Sequence, residues 1–420
     1  LSIGPFDAPD EPAHLDAIEQ ARRGRVPEVH FRFDRDPNGE IVGPPMSPTV
    51  ARTARQHGIE GELRLAPYEA MQAPLYYLLV ALISRPFASD PLDVLLVARL
   101  VSVACGAITV VACWLATRRL APHEPDWAWA TAGTIGLLPQ FTFNSATASN
   151  DALVHATCAL AFASWFQSLR QAESDPWMIR SGTMVGLAIL TKLNALVLLP
   201  GLALLGLFRV VQIPPGAAHL RRASRMILGS SASLALVSGW WFVRNIIVYG
   251  EPTGTRDAAR FFRARFIPLR IDSIADWRAV LETTWESVFA RFGWMNKGLP
   301  PLAYRQAGMI ALTLVGLTAV SVLTRLARGW RPSRVAVQGS ALMALVLAGV
   351  LAFFVLVNFV SHGFQPQGRY FFPAVLPLGL GLTGGLALSG PFRGARRVGL
   401  GLFWAWLVWW QILGLGIVRS

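Results

Sequence analysis

Three stretches near the C-terminus, residues 338–361, 371–392 and 398–418, run without a single charged side chain. At about 1.5 Å of rise per helical residue, each is long enough to cross a hydrocarbon core of about 30 Å. Inside a bilayer the backbone must satisfy its own polar groups, so continuous apolar runs of this length become helices, whereas a β-barrel needs alternation. The rest of the 420-residue chain agrees, with 53% hydrophobic and 15% charged residues and a mean hydropathy of +0.43. Average soluble domains carry about 25% charged residues. An ordinary soluble enzyme, a disulfide-stapled secreted domain and a disordered chain are excluded. The expected fold class is an all-α polytopic membrane protein, a bundle of about ten transmembrane helices with an outer loop domain.

The formal net charge of +13 does not make nucleic acid a partner. The arginines cluster in short loops between apolar runs, where the positive-inside rule places them. Lysine occurs only at Lys192 and Lys297. Cys105, Cys113 and Cys158 all sit inside apolar runs, which reads as buried free thiols and not as disulfides or zinc ligands. The chain opens at Leu1 with no signal peptide, and the expectation is a transmembrane helix encoded before it.

Four regions follow. Residues 1–74 are polar and form a first extracytoplasmic loop domain, in which Asp10 to Arg23 reads as an amphipathic helix. Residues 75–248 hold core transmembrane helices, with 75–88 too short to span and read as interfacial or re-entrant. Residues 249–302 form a second extracytoplasmic loop, amphipathic through Trp277, Val280, Leu281, Trp285, Val288 and Phe289. Residues 303–420 hold the C-terminal transmembrane helices. Spans are expected at 92–117, 127–147, 152–169, 226–243, 303–324, 338–360, 371–389 and 398–418. The stretch 181–208, interrupted by Lys192, is either one long helix or a hairpin with Lys192 at its tip. The hairpin puts fifteen loop arginines on one side and leaves Lys192 and Arg369 in the short loops of the other. That side bias selects the hairpin and makes the arginine-rich side cytoplasmic. No internal repeat is evident.

This topology gathers ionisable groups on the outer face. Asp10, Glu11 and His14 open the outer domain, Asp151 begins a span, Lys192 caps the hairpin, and Arg244 and Asn245 end a span. Gln367, Arg369 and Tyr370 occupy a short outer loop, and Arg99 lies a third of the way into a span. Each has a purely structural alternative: Asp10 and Asp151 as helix N-caps, Glu11 as a first-turn charge, His14 as a partner of Asp10, Lys192 snorkelling, Arg99 and Arg244 anchored to lipid phosphate. As a set they are chemically coherent. Adjacent carboxylates supply a base, and fixed cations hold a phosphate and stabilise it as a leaving group. A membrane setting puts a lipid on that phosphate.

Several segments resemble, in order, the motifs of GT-C fold glycosyltransferases. The run Pro9-Asp10-Glu11-Pro12-Ala13-His14-Leu15 resembles their carboxylate motif, and Gln72-Ala73-Pro74-Leu75-Tyr76-Tyr77-Leu78 the motif ending their first outer loop. Asn150-Asp151, Leu190-Thr191-Lys192, Arg244-Asn245 with Tyr249-Gly250, and Gln367-Gly368-Arg369-Tyr370-Phe371-Phe372-Pro373 continue the series. The nearest look-alikes are bacterial polytopic proteins; protein O-mannosyltransferases and the aminoarabinose transferase of lipid A are more distantly similar. The resemblance implies inverting transfer of a sugar from a polyprenyl-phosphate donor to a lipid, glycan or protein acceptor, on the extracytoplasmic face of a bacterial inner membrane. It implies Asp10 as the catalytic carboxylate, Glu11 beside it in acceptor or metal binding, and Lys192 and Arg369 as donor-phosphate contacts. No cofactor is required; a divalent metal on Asp10, Glu11 and Asp151 is compatible with the set. Two departures stand out: family members begin with a transmembrane helix absent here, and Ala73 stands where many relatives have a second proline. The rival class is a transporter or flippase of a lipid-linked sugar, whose ionisable groups belong near the midplane of repeated halves.

Overall fold

Proline and capping residues mark where the helices begin. Pro91 opens α4 (Pro91–Leu120) with Asp90 as its cap, accepting from the Leu92 N–H at 2.8 Å. Ser149 caps α7 (Asn150–Arg170) through the Asp151 N–H at 3.2 Å, and Ser333 caps α15 (Arg334–Val355) through Ala336 at 3.2 Å. In this computed structural model, residues 3–31, 44–61, 64–171, 175–216, 219–265, 273–357, 366–388 and 393–419 are described. The chain runs through α1 (Glu11–Arg22), α2 (Pro48–Gln56) and α3 (Leu75–Ser84) into α4, followed by α5 (Pro125–Leu137), α6 (Pro139–Ser145), α7 and α8 (Pro176–Thr191). Next come α9 (Leu199–Gln212), α10 (His219–Leu234), α11 (Trp240–Tyr249), α12 (Arg256–Arg265), α13 (Ile274–Phe289), α14 (Pro301–Ala327), α15, α16 (Val375–Leu388) and α17 (Arg393–Arg419). Between α13 and α14 a small antiparallel hairpin pairs β1 (Arg291–Phe292) with β2 (Lys297–Gly298).

Eight segments among the described residues are long and apolar enough to cross a bilayer, and this is an integral membrane protein. They include α4, α7, the 3₁₀ turn Leu193–Leu198 joined to α9, and α10–α11 continued through a π turn at Ala235–Gly239. Helices α5 and α8, with 13 and 16 residues, are shorter than these spans. The helix breaks at Lys192, as the expected hairpin requires: α8 stops at Thr191, and Lys192 is extended (φ −158°, ψ 136°). The expected span 127–147 is not continuous. Pro139 has no N–H and forces Leu138 out of the helical region (φ −69°, ψ 119°), so α6 leaves at a new angle. The last residues of the expected spans 338–360 and 371–389, and part of loop 249–302, lie outside the described residues.

Helix α7 is the central post. Of its apolar window, 83% is buried in protein, against 17% for α14. At one end of the bundle the arginine-rich loops tie together. Arg119 donates to Ala163 O (2.8 Å), Arg222 to Asp175 (3.1 Å) and Arg325 to Glu124 (2.6 Å). The side chain of Arg393 is outside the described residues. At the other end α1 and α2 lie over α3 and the start of α4. Leu15, Ile18, Val50, Tyr76, Tyr77, Leu95 and Ala152 share one apolar core, so the N-terminal segment packs continuously onto the membrane helices.

Candidate active site

The non-arginine-rich end carries a chain of alternating charges drawn from four separate elements. Asp10 precedes α1 in the left-handed region (φ 65°, ψ −1°), a conformation that is strained for any residue with a side chain. Its carboxylate does not cap α1, so the capping alternative fails. Instead Oδ1 accepts from the Tyr68 hydroxyl at 2.7 Å and Oδ2 from Arg369 Nη2 at 2.9 Å. Arg369 Nη1 lies 3.4 Å from Asp151 Oδ2, and Lys192 Nζ donates to Asp151 Oδ1 at 2.7 Å. Asp151 is not an N-cap, because Ser149 fills that position. Lys192 is 8% exposed and turned into protein, which removes the snorkelling alternative.

Arg369 is held by its neighbour. Gly368 opens a 3₁₀ turn (Gly368–Ala374) that rests directly on α13, with the Gly368 N–H donating to Ser287 Oγ at 2.7 Å. A Cβ at position 368 would lie 2.1 Å from Val288 N, so only glycine permits this approach. Buried Arg369 Nε has no partner among the described residues, which leaves one guanidinium donor to spare there.

Beside Asp10, His14 and Glu69 complete a group whose ligand atoms all lie within 4.8 Å of one another. His14 Nδ1 is 3.1 Å from the Tyr77 hydroxyl and 3.7 Å from Glu69 Oε2; the Tyr77 hydroxyl donates to Glu69 at 3.4 Å. Burial pushes the His14 imidazole down to about 4, outweighing Asp10, so the ring is neutral and its contact with Glu69 is not an ion pair. Burial, then the Asp10 charge, pushes the Glu69 carboxyl up to about 7. Burial would also raise Asp10, but the Arg369 charge, the neighbouring His14 and the hydrogen bonds from Tyr68 and Arg369 together outweigh it and hold that carboxyl below its usual range. The Tyr68 hydroxyl is raised well above its ordinary value by burial and Asp10, so it remains a donor.

Glu11 is placed differently from the expectation. It is fully buried and faces away from this group. Arg99 Nε and Nη2 reach its two oxygens at 2.9 and 2.8 Å, and the Ala148 N–H adds a third donor at 3.0 Å. Arg99 also donates to Ile3 O and Gly4 O, both at 2.7 Å, so the two residues are committed to each other and to the backbone around them. The expected set Asp10, Glu11 and Asp151 is therefore not assembled, since Asp151 is committed to Lys192 and Arg369. Arg244 bonds Glu28 (2.8 Å) and Pro27 O (3.4 Å) and lies 5.2 Å from the Tyr249 ring, tying the segment after α1 to the end of α11. Tyr370 stacks edge-on against Phe353.

A small cavity, partly open to solvent, lies between Pro9, Asp151, Gln367 and Arg369, with Gln140 and Asn144 of α6 on its wall. Of these residues Gln140 and Asn144, like Tyr68 and Glu69 beside Asp10, carry no strong signal in the local sequence. A weak one exists for Glu69, the only carboxylate between Leu65 and Ser84. Gln140 and Asn144 follow a proline inside an apolar run, which is a place where a span breaks.

The helix order, the broken membrane helices and the charged group under α1 define a polytopic membrane protein of the GT-C fold. The chain is similar to ArnT from Cupriavidus metallidurans in the apo state, with a TM-score of 0.52 at 15% identity over 96% of this chain and 58% of that one. ArnT bound to undecaprenyl phosphate gives the same TM-score and identity, over 96% and 59%. The oligosaccharyltransferase of Archaeoglobus fulgidus in complex with Zn and sulfate gives a TM-score of 0.51 at 14% identity, over 98% and 49%. At such identities the likeness is one of fold, and this chain spans less than two thirds of each of those proteins. It belongs to the family described as Predicted membrane protein (DUF2142), whose model matches residues 1–377. No curated protein matches the sequence.

Proposed function

We propose that the protein is a membrane glycosyltransferase that moves a sugar from a polyprenyl-phosphate donor to an acceptor hydroxyl with inversion. The observation that carries this reading is the run Tyr68–Asp10–Arg369–Asp151–Lys192, which sets a carboxylate against two cations beside a cavity. In the proposed reaction Asp10 takes the proton of the acceptor hydroxyl. The acceptor oxygen bonds to the anomeric carbon from the face opposite the phosphate, through an oxocarbenium-like transition state. The bond between that carbon and the phosphate oxygen breaks, and the electron pair leaves with the polyprenyl phosphate. Arg369 and Lys192 neutralise the departing charge. A donor phosphate competes with Asp10 for Arg369, and releasing Arg369 restores the basicity that its charge suppresses.

Asp10, His14 and Glu69 form a mixed nitrogen and oxygen set that fits a divalent metal; bound there, such an ion would acidify the acceptor hydroxyl. The acceptor is a lipid, glycan or protein in or at the membrane. The loop-charge bias supports placing the site end outside a bacterial inner membrane and the arginine-rich end in the cytoplasm.

The test is to reconstitute the protein in vesicles with polyprenyl-phosphate sugars and measure released polyprenyl phosphate. Wild type should release it, and Asp10→Asn should fall by about 10²- to 10⁴-fold while staying folded. Movement of intact glycosyl lipid between leaflets without release would favour the flippase. Full turnover by Asp10→Asn would remove Asp10 as the base.

A further inference from the structure

The cavity wall formed by α6 carries two buried amides that the reaction just described does not use. Gln140 and Asn144 sit one turn apart, 4% and 7% exposed, and both line the cavity with Asp151 and Arg369. Their orientations are dictated by a relay. The backbone N–H of Arg291 in β1 donates to Gln140 Oε1 at 2.6 Å. An N–H only donates, so the Gln140 oxygen must face it, and its Nε2 is turned to Asn144 Oδ1 at 3.0 Å. The relay ends at Asn144 Nδ2, a buried donor with no partner among the described residues. Such a group is unfavourable unless a ligand or water accepts from it.

Several other polar groups of the cavity are engaged, while Arg369 Nε, like Asn144 Nδ2, has no partner among the described residues. The Arg291 guanidinium is held by Glu286 (2.6 Å) and Met295 O (2.8 Å). Ser287 is held between Thr283 O (2.8 Å) and the Gly368 N–H (2.7 Å). Arg369 and Asp151 hold each other. This wall therefore offers a neutral donor and no uncompensated charge, in the same cavity as the residues assigned to phosphate.

We propose that the Gln140–Asn144 relay reads the glycosyl group of the donor, with Asn144 Nδ2 donating to a hydroxyl oxygen of an uncharged sugar. The inference rests on the function proposed above and narrows its substrate class. A protonated amino sugar would set a donor against a donor at this wall, whereas a hydroxyl accepts.

Binding of undecaprenyl phosphate and of undecaprenyl-phosphoglucose to the full chain in detergent tests this, with Asn144→Asp and Asn144→Ala alongside wild type. Wild type should bind the glycosylated carrier more tightly than the bare one, by about five- to tenfold for one added hydrogen bond. Both variants should lose that preference and keep their affinity for bare undecaprenyl phosphate, which also shows that they are folded. A preference unchanged in both variants, or absent from wild type, overturns the inference while leaving phosphate binding and turnover to judge the proposed function. Loss of both ligands in both variants also overturns it, because Asn144 would then serve the fold or the phosphate. No binding of either carrier to wild type counts against the proposed function itself and removes the inference with it.

Discussion

Changing Glu11 to Gln alters one oxygen into an amide, yet it should unfold this protein more readily than changes at the neighbouring Asp10. Glu11 is fully buried and accepts three hydrogen bonds, two from Arg99 and one from the Ala148 N–H. Gln offers one acceptor oxygen and sets an amide donor against the guanidinium. Arg99, only 6% exposed, then keeps its charge with two backbone carbonyls for partners. Breaking one side of a buried ion pair costs about 3–5 kcal/mol. The pair joins α1 to α4 and to the turn before α7, so the loss falls on the packing of the whole N-terminal segment. Thermal unfolding in detergent, followed by tryptophan fluorescence, should show Glu11→Gln lowered by several degrees and Asp10→Asn close to wild type. The double change Glu11→Leu with Arg99→Leu, which removes both charges, should recover much of the difference. If Glu11→Gln keeps the wild-type transition and loses transfer activity, Glu11 belongs to the chemistry and the structural role argued for it is wrong.

Other outcomes follow from the same geometry. Arg369→Lys cannot bridge Asp10 and Asp151 with two nitrogens of one plane, and like Lys192→Ala it should weaken binding of undecaprenyl phosphate by about 1.5–3 kcal/mol. Arg328→Ala, at the opposite end of the bundle, should not, and equal affinities in all three would remove the phosphate assignment. Gly368→Ala drives a Cβ to 2.1 Å from Val288 N, so the turn carrying Arg369 must lift from α13; both melting temperature and carrier affinity should fall, and no change in either would show that the approach is dispensable. Glu69 has its carboxyl raised by burial, then by Asp10, to about 7, above the value of about 4.3 for an unfolded Glu. Between those values the folded protein holds a proton that the unfolded chain has released, so this stabilisation is complete at low pH and is lost as pH rises. The melting temperature of wild type relative to Glu69→Gln should therefore fall between about pH 5 and pH 7, and a constant difference would refute the shift.

What the sequence determined by itself was whatever depends on neighbours along the chain. Charge-free runs become membrane helices because a bilayer tolerates few alternatives, and the bias of the loop arginines called for a break in 181–208 before any contact was known. The chain reads as one span over 127–147, and only the structure shows the break at Pro139. The partners of the charged residues are another matter. Asp10 and Arg369 lie 359 residues apart, and no local pattern says that they meet. Adjacent Asp10 and Glu11 read alike as a pair of carboxylates, but successive positions at a helix start point in different directions. The backbone at Asp10 turns left-handed and sends its side chain to Tyr68 and Arg369, while Glu11 enters the core against Arg99. Which carboxylate stays available and which becomes a buried strut was decided only when α1 was set down on α4 and α7. Burying a charge demands a partner, and packing determines which partner is within reach.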